Sequence, residues 1–211
     1  MNNQILEKII EILAKKYPNP QTPLLHRNSY ELLIAVILSA QMTDKRLNTI
    51  TPLLFEKYPT FSSLANANIE DVQKIISGVN YYKTKSQHII EVSKTINLKY
   101  DDKIPETLDK LIAMPGIGRK TANVILNEGL NISEGIVVDT HVIRVSQRLG
   151  FTNNKTAQKI EIDLMKIIPK QYWRNISLWM IFHGRETCVA RKPKCDECKI
   201  KDYCNYYSSL K

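Results

Sequence analysis

No cysteine occurs before residue 188, and only 7 of the 211 residues are glycine. Everything ahead of Cys188 must therefore hold together without disulfides, and collagen-like or glycine-rich linker architectures are excluded. Long apolar runs are also missing. The longest, Leu32–Leu38 within "ELLIAVILSAQ", is far short of the ~20 residues that a membrane span needs. It reads as a helix buried on most sides. The opening "MNNQILEKII" carries Glu7 and lacks the apolar stretch and small-residue cleavage site of a secretory signal. Acidic side chains are in deficit, with 21 Asp+Glu against 30 Lys+Arg, a formal net charge of +9 and a pI near 9.3. Such a surplus favours a polyanionic partner, nucleic acid or an anionic membrane surface. The expectation is a cytoplasmic globular protein, large enough for one large domain or two small ones.

Alternating strand patterns are nearly absent too. "GIVVDTHV" is the only plausible strand, and the fold class expected is all-α. Residues 2–16 place Ile5, Ile9, Ile12 and Leu13 on one helical face. Pro18, Pro20 and Pro23 then end that helix. Ser29 is a candidate cap for a helix near 30–40, and Thr43 or Asp44 for one running to about 58. Further helices are predicted over roughly 60–67, 69–77, 83–99, 119–129, 140–149, 155–168 and 170–183, with another in "IPETLDKLIAM".

"ETLDKLIAM-PGIG-RKTANVILNEG" reads as helix, tight turn, helix. Gly116 and Gly118 permit positive φ and close backbone approach. The second helix then presents N–H groups at its start, a natural phosphate site by geometry and by dipole. Ala122, Ile125 and Leu126 form its apolar stripe, which puts Lys120, Asn123 and Asn127 on the opposite face. A nucleophilic lysine must first lose its proton. A helix N-terminus and the adjacent Arg119 both disfavour the charged form, and partial burial adds to this. The same residues also suit a plain helical hairpin with a surface lysine.

In "VVDTHVIRVSQRLG", Asp139 stands between a short apolar run and a helix. That is the place of an N-cap, and equally of a carboxylate held rigidly to stabilise positive charge or to shuttle protons.

All four cysteines lie close together near the C-terminus. Cys188, Cys195, Cys198 and Cys204 have the spacing C-x6-C-x2-C-x5-C. In a reducing compartment such a cluster points to zinc or to a [4Fe–4S] cluster. Arg191, Lys192 and Lys194 occupy its first loop, where a metal centre would pin a basic phosphate contact.

Taken together, "LSAQMTD", "MPGIGRKTANVIL", "VVDTHVIRV", "HGRETCVARKPKC" and the cysteine spacing resemble the endonuclease III family of DNA glycosylases, in the helix-hairpin-helix superfamily. The resemblance covers essentially the whole chain. It implies two lobes: a six-helix barrel over residues 22–132, and a discontinuous iron–sulfur domain of residues 1–21 and 133–211. Double-stranded DNA is the implied partner, lying across the cleft between the lobes, with a [4Fe–4S] cluster as cofactor on the four cysteines. A monomer associated with the nucleoid is expected.

The implied activity is removal of oxidised pyrimidines followed by strand cleavage at the abasic site. Lys120 falls on the family's nucleophile and Asp139 on its catalytic aspartate. Gln41 falls on the residue that fills the gap left by an extruded base. Gly116, Gly118 and Arg119 would hold the DNA backbone. The family's bacterial members commonly carry a leucine wedge; here "GVNYYKTK" places Tyr81 there, with Tyr82 adjacent. An aromatic ring can still intercalate or stack.

Four rival readings bear on the same residues. Related adenine-mismatch enzymes are monofunctional, lack a lysine at the Lys120 position and usually carry a further C-terminal domain, whereas this chain stops soon after Cys204. A thymine glycosylase acting on G·T mismatches differs in pocket shape, which sequence does not give. A non-catalytic module for damaged DNA needs neither Lys120 nor Asp139. A redox role for the cluster is a further option.

Overall fold

The computed structural model of the chain describes residues 3–210. Among these no strand occurs, and every regular element is helical, in agreement with the all-α expectation. The α-helices are α1 (Asn3–Lys16), α2 (Ser29–Ser39), α3 (Asp44–Leu47), α4 (Thr51–Lys57), α5 (Phe61–Ala65), α6 (Ile69–Ile75), α7 (Tyr82–Tyr100), α8 (Leu108–Ile112), α9 (Arg119–Val124), α10 (Thr140–Leu149), α11 (Ala157–Ile167), α12 (Trp173–Glu186) and α13 (Asn205–Ser208). No described helix is long and apolar enough to cross a membrane.

The chain divides into two compact units. Thr22–Glu134 forms one; residues up to Gln21 and from Gly135 onward form the other. Met1, Asn2 and Lys211, which the predicted domain boundaries include, lie outside the described residues.

In the Thr22–Glu134 unit, α2 is buried continuously from Tyr30 to Leu38, as its apolar run requires. Its cap is Asn28 and not Ser29: the Asn28 side chain accepts from Glu31 N at 3.0 Å. Ser29 is the first helical residue, and its hydroxyl donates to Gly129 O at 2.6 Å. The helix predicted from Thr43 to about 58 is split. Thr43 caps α3, accepting from Arg46 N, and the chain re-enters a helix only at Thr51. Pro52, second in α4, has no N–H to give to the preceding turn, so one helix cannot run through. The long α7 packs on α5 and α6, burying Ile89, Ile90, Val92 and Ile96.

In the other unit, α1 packs on α12 and buries Leu6, Ile9, Ile10 and Leu13. Ile5 and Ile12, predicted in the stripe, are only half-buried. Trp179 Nε1 donates to Tyr17 O at 3.0 Å, fixing the end of α1 to α12. The strand predicted at "GIVVDTHV" does not form. Ile136, Val137 and Val138 are buried as irregular chain, because no second strand exists to pair with them. The next helix, α10, closes on Gly150 in the left-handed region at φ 79°.

Candidate DNA-binding and catalytic site

The hairpin joins α8 to α9 through Met114–Gly118. Gly116 takes φ 74°, and a Cβ built there lies 2.6 Å from His88 Nδ1 and 3.1 Å from His88 Cβ. No other residue type fits. Gly118 was expected to share this freedom but does not use it. Its backbone is extended at φ −88°, ψ 174°, and it stands as the N-cap of α9 with no side-chain cap. Nothing lies within 4 Å of the position a Cβ would take at Gly118. What a glycine supplies here is open room beside the helix start.

Lys120 is exposed on the first turn of α9, and Arg119 beside it is half-buried. The partial burial anticipated for Lys120 is therefore not provided by this unit. Ala122, Ile125 and Leu126 are fully buried, as predicted. Asn123 and Asn127 are not on an open face: each is 1% exposed. Helix α9 packs against both α8 and α2, so more than one face is covered. It then widens into a π-helical turn over Ile125–Gly129, which shifts the register that a 3.6-residue period assumes.

Gln41 and Tyr81, the two candidate duplex-penetrating residues, belong to this same unit. Both are exposed, and both have left-handed backbone at φ 59°. Tyr82, by contrast, is half-buried against the core.

Asp139 lies in the other unit. Its Oδ1 accepts from His141 N at 2.8 Å and from Val142 N at 2.9 Å, so it is the N-cap of α10. The side chain is half-buried. Burial first, then the charges of Arg144 and Arg185, push the neighbouring His141 below its usual range; Asp139 and the Gly184 backbone pull the other way. Gly184 lets α10 and α12 approach closely, since a Cβ there would lie 3.0 Å from His141 Cβ.

Cys188, Cys195, Cys198 and Cys204 are all free thiols and half-buried. They line one cavity, walled by Val145, Leu149 and Ile200. No three His, Cys, Asp or Glu side chains among the described residues are close enough to share a single metal ion. Burial first, and then the other thiols, raise the Cys195 and Cys198 thiols above their usual range. Four such groups become thiolates together only where a strong positive centre holds them. A soft all-sulfur donor set in an apolar cavity fits an iron–sulfur cluster.

Two arginines on α10, passed over in the sequence, support this segment. Arg144 Nε donates to Cys188 O at 2.9 Å and Nη2 to Gly184 O at 2.8 Å. Arg148 Nη1 reaches Cys188 Sγ at 3.2 Å and Val189 O at 2.8 Å, while Nη2 reaches Ala190 O at 3.0 Å. Their spacing of four on one helix was the signal. Arg191, Lys192 and Lys194 are exposed on the loop so held, and Lys194 N donates to Thr187 O at 3.0 Å.

Comparison with known proteins agrees with these two centres. Residues 34–170 match the HhH-GPD superfamily of base excision DNA repair proteins, and residues 188–204 match the iron–sulfur binding domain of endonuclease III. Endonuclease III of Rickettsia conorii is 42% identical over 211 residues, covering 100% of both chains. A solved non-covalent endonuclease III–DNA complex aligns over 100% of this chain and 98% of that one, at 38% identity and a TM-score of 0.90. A trapped endonuclease III–DNA covalent intermediate aligns over 100% and 99%, also at 38% identity and 0.90. The chain belongs to the endonuclease III family, DNA glycosylases and AP lyases of base excision repair that carry a [4Fe–4S] cluster on their C-terminal cysteines.

Proposed function

We propose that this protein removes oxidised pyrimidines from double-stranded DNA and cuts the strand on the 3′ side of the resulting abasic site, with Lys120 as nucleophile. The observation that carries this is the place of Lys120: exposed, on the first turn of a helix that opens without a side-chain cap beside a left-handed glycine turn.

Cations bind the phosphates: the half-buried Arg119 at the hairpin, and the exposed Arg191, Lys192 and Lys194 on the cysteine loop. The backbone of Gly116 and Gly118 approaches the strand near the lesion. The damaged nucleotide leaves the stack, because its C1′ is unreachable within it. Gln41 and Tyr81 occupy the space it vacates. Neutral Lys120 attacks C1′; the C–N bond to the base breaks and the base leaves with the electron pair and a proton. The aminal opens to a Schiff base. Loss of a 2′ proton then expels the 3′ phosphate by β-elimination. Asp139 supports the positive charge on the sugar and relays protons.

Cys188, Cys195, Cys198 and Cys204 hold the [4Fe–4S] cluster. Bound there, the cluster supplies a rigid anchor for the basic loop and no electron that this reaction needs. The protein acts as a cytoplasmic, nucleoid-associated monomer.

Borohydride trapping on a duplex with one thymine glycol tests the assignment. The parent is expected to form a covalent adduct and Lys120→Ala none. Equal trapping by both would move the nucleophile to another amine. Base release without trapping would make the enzyme monofunctional.

A further inference from the structure

Lys85 is a lysine the mechanism does not use, and it is buried, at 6% exposure. Its ammonium donates to Leu38 O at 2.7 Å and to Ala40 O at 2.6 Å, the carbonyls that close α2. That is where a helix gathers partial negative charge, and a cation there is favoured. The next residue is Gln41. Across from it, Asn80 Nδ2 donates to Gln41 O at 2.6 Å. Asn80 is followed by Tyr81, and Lys85 N in turn donates to Tyr81 O at 3.0 Å.

So two segments far apart in sequence are tied by one carboxamide and one ammonium. Each carries an exposed side chain on left-handed backbone. That conformation is costly for residues with a Cβ and persists only where neighbours over-determine it. Lys85 and Asn80 supply those constraints on both sides. Tyr81 is 66% exposed, an unusual setting for a large ring with a fixed backbone.

We propose that Lys85 and Asn80 are positioning residues that hold Gln41 and Tyr81 as one rigid pair of prongs, serving extrusion of the nucleotide and not the chemistry at Lys120. The proposal rests on the glycosylase–lyase reading above. A pre-formed pair enters the stack without the ordering cost that two mobile loops would meet. Neither positioning residue needs to touch DNA. A helix-end contact of purely structural value would affect every substrate alike; a prong holder affects only those that must be flipped.

The test compares two abasic substrates under single-turnover borohydride trapping. In one, the abasic site faces a base within a continuous duplex. In the other it lies in a one-nucleotide bulge and is already extrahelical. Lys85→Met keeps the stem and removes the donors. Asn80→Ala, at an exposed position, guards against a failure of the first variant to fold. Both are expected to slow trapping on the paired site by on the order of tenfold while staying within about twofold of the parent on the bulge. 2-Aminopurine placed opposite an uncleavable abasic analogue is expected to brighten less on binding the variants than on binding the parent. Equal losses on both substrates, or no loss on the paired one, would overturn the proposal. A parent that traps on neither substrate would instead bring down the glycosylase–lyase reading, and this inference with it.

Discussion

Arg148 Nη1 lies 3.2 Å from Cys188 Sγ, and the same guanidinium stacks on Tyr206 at 4.7 Å from the ring centroid. One side chain thus links α10, a cysteine of the cluster segment and Tyr206 near the C-terminus. Arg148→Met keeps much of the stem and loses the donors. It is expected to cost about 1.5–3 kcal/mol, the range for hydrogen bonds to charged groups. Denaturant unfolding, followed by circular dichroism alongside the visible absorption of the cluster, measures it. Colour is expected to be lost before helicity. A variant that keeps both signals at the parent's midpoint would deny Arg148 this role.

Asp139 caps α10, and substitution can separate that cap from the catalytic duty proposed for it. Asn caps helices as well as Asp does. Asp139→Asn is therefore expected to leave stability within a few tenths of a kcal/mol and to lower base release by about a hundredfold, the scale of lost general acid–base help. Asp139→Ala is expected to lose about 1 kcal/mol as well. Thermal unfolding and single-turnover base release on the two variants check both halves. Normal turnover by Asp139→Asn would reduce Asp139 to a cap.

The two hairpin glycines are expected to respond in opposite ways. Gly116→Ala meets a left-handed φ, a cost of about 1–2 kcal/mol, and also the Cβ of His88, which cannot swing aside as the ring can. Gly118→Ala meets neither and is expected to fold with near-parental stability. It would, however, place a methyl group in the open room beside the helix start, where the proposed function brings the DNA strand. Its expected signature is weaker duplex binding at an unchanged melting temperature, read by fluorescence anisotropy and scanning calorimetry.

His141 contributes to the acid side of the stability profile. An unfolded histidine titrates near 6.5. In the fold, burial and the charges of Arg144 on α10 and Arg185 on α12 depress it, against Asp139. The unfolded chain then binds the proton more readily, so this contribution is intact above about pH 6.5 and is lost as pH falls through the folded value. The urea midpoint is expected to drop from pH 7 to pH 5, and less steeply in His141→Gln. Identical slopes would assign the acid sensitivity to other groups.

Features that depend on near neighbours in sequence were readable in advance. The 140–149 helix was bounded correctly because Asp139 caps it and Gly150 closes it. The cysteine spacing named its segment for the same reason. Tertiary neighbours were not readable. Asn123 and Asn127 looked solvent-facing because one helix's period says nothing of a second helix packed behind it. Lys85 sits in "KTKSQHII" beside Lys83 and looks like any surface cation; only the fold brings the end of α2 against it. Ile136–Val138 had strand chemistry but no partner strand. Of the candidate site, the positions of the glycines, Lys120, Asp139 and the cysteines were legible. The arginines and the lysine that hold the surrounding backbone were not.

The fixing of α1 to α12 has a consequence for biosynthesis. The Tyr17–Trp179 hydrogen bond spans 162 residues of sequence. At roughly 5–20 residues per second, α1 leaves the ribosome on the order of 10–30 seconds before the helix that covers Leu6, Ile9, Ile10 and Leu13 has been made. Throughout that interval the apolar stripe of α1 lacks its covering helix, while all of Thr22–Glu134 is being made. The cysteine segment comes later still, so iron delivery is a step that follows translation of nearly the entire protein.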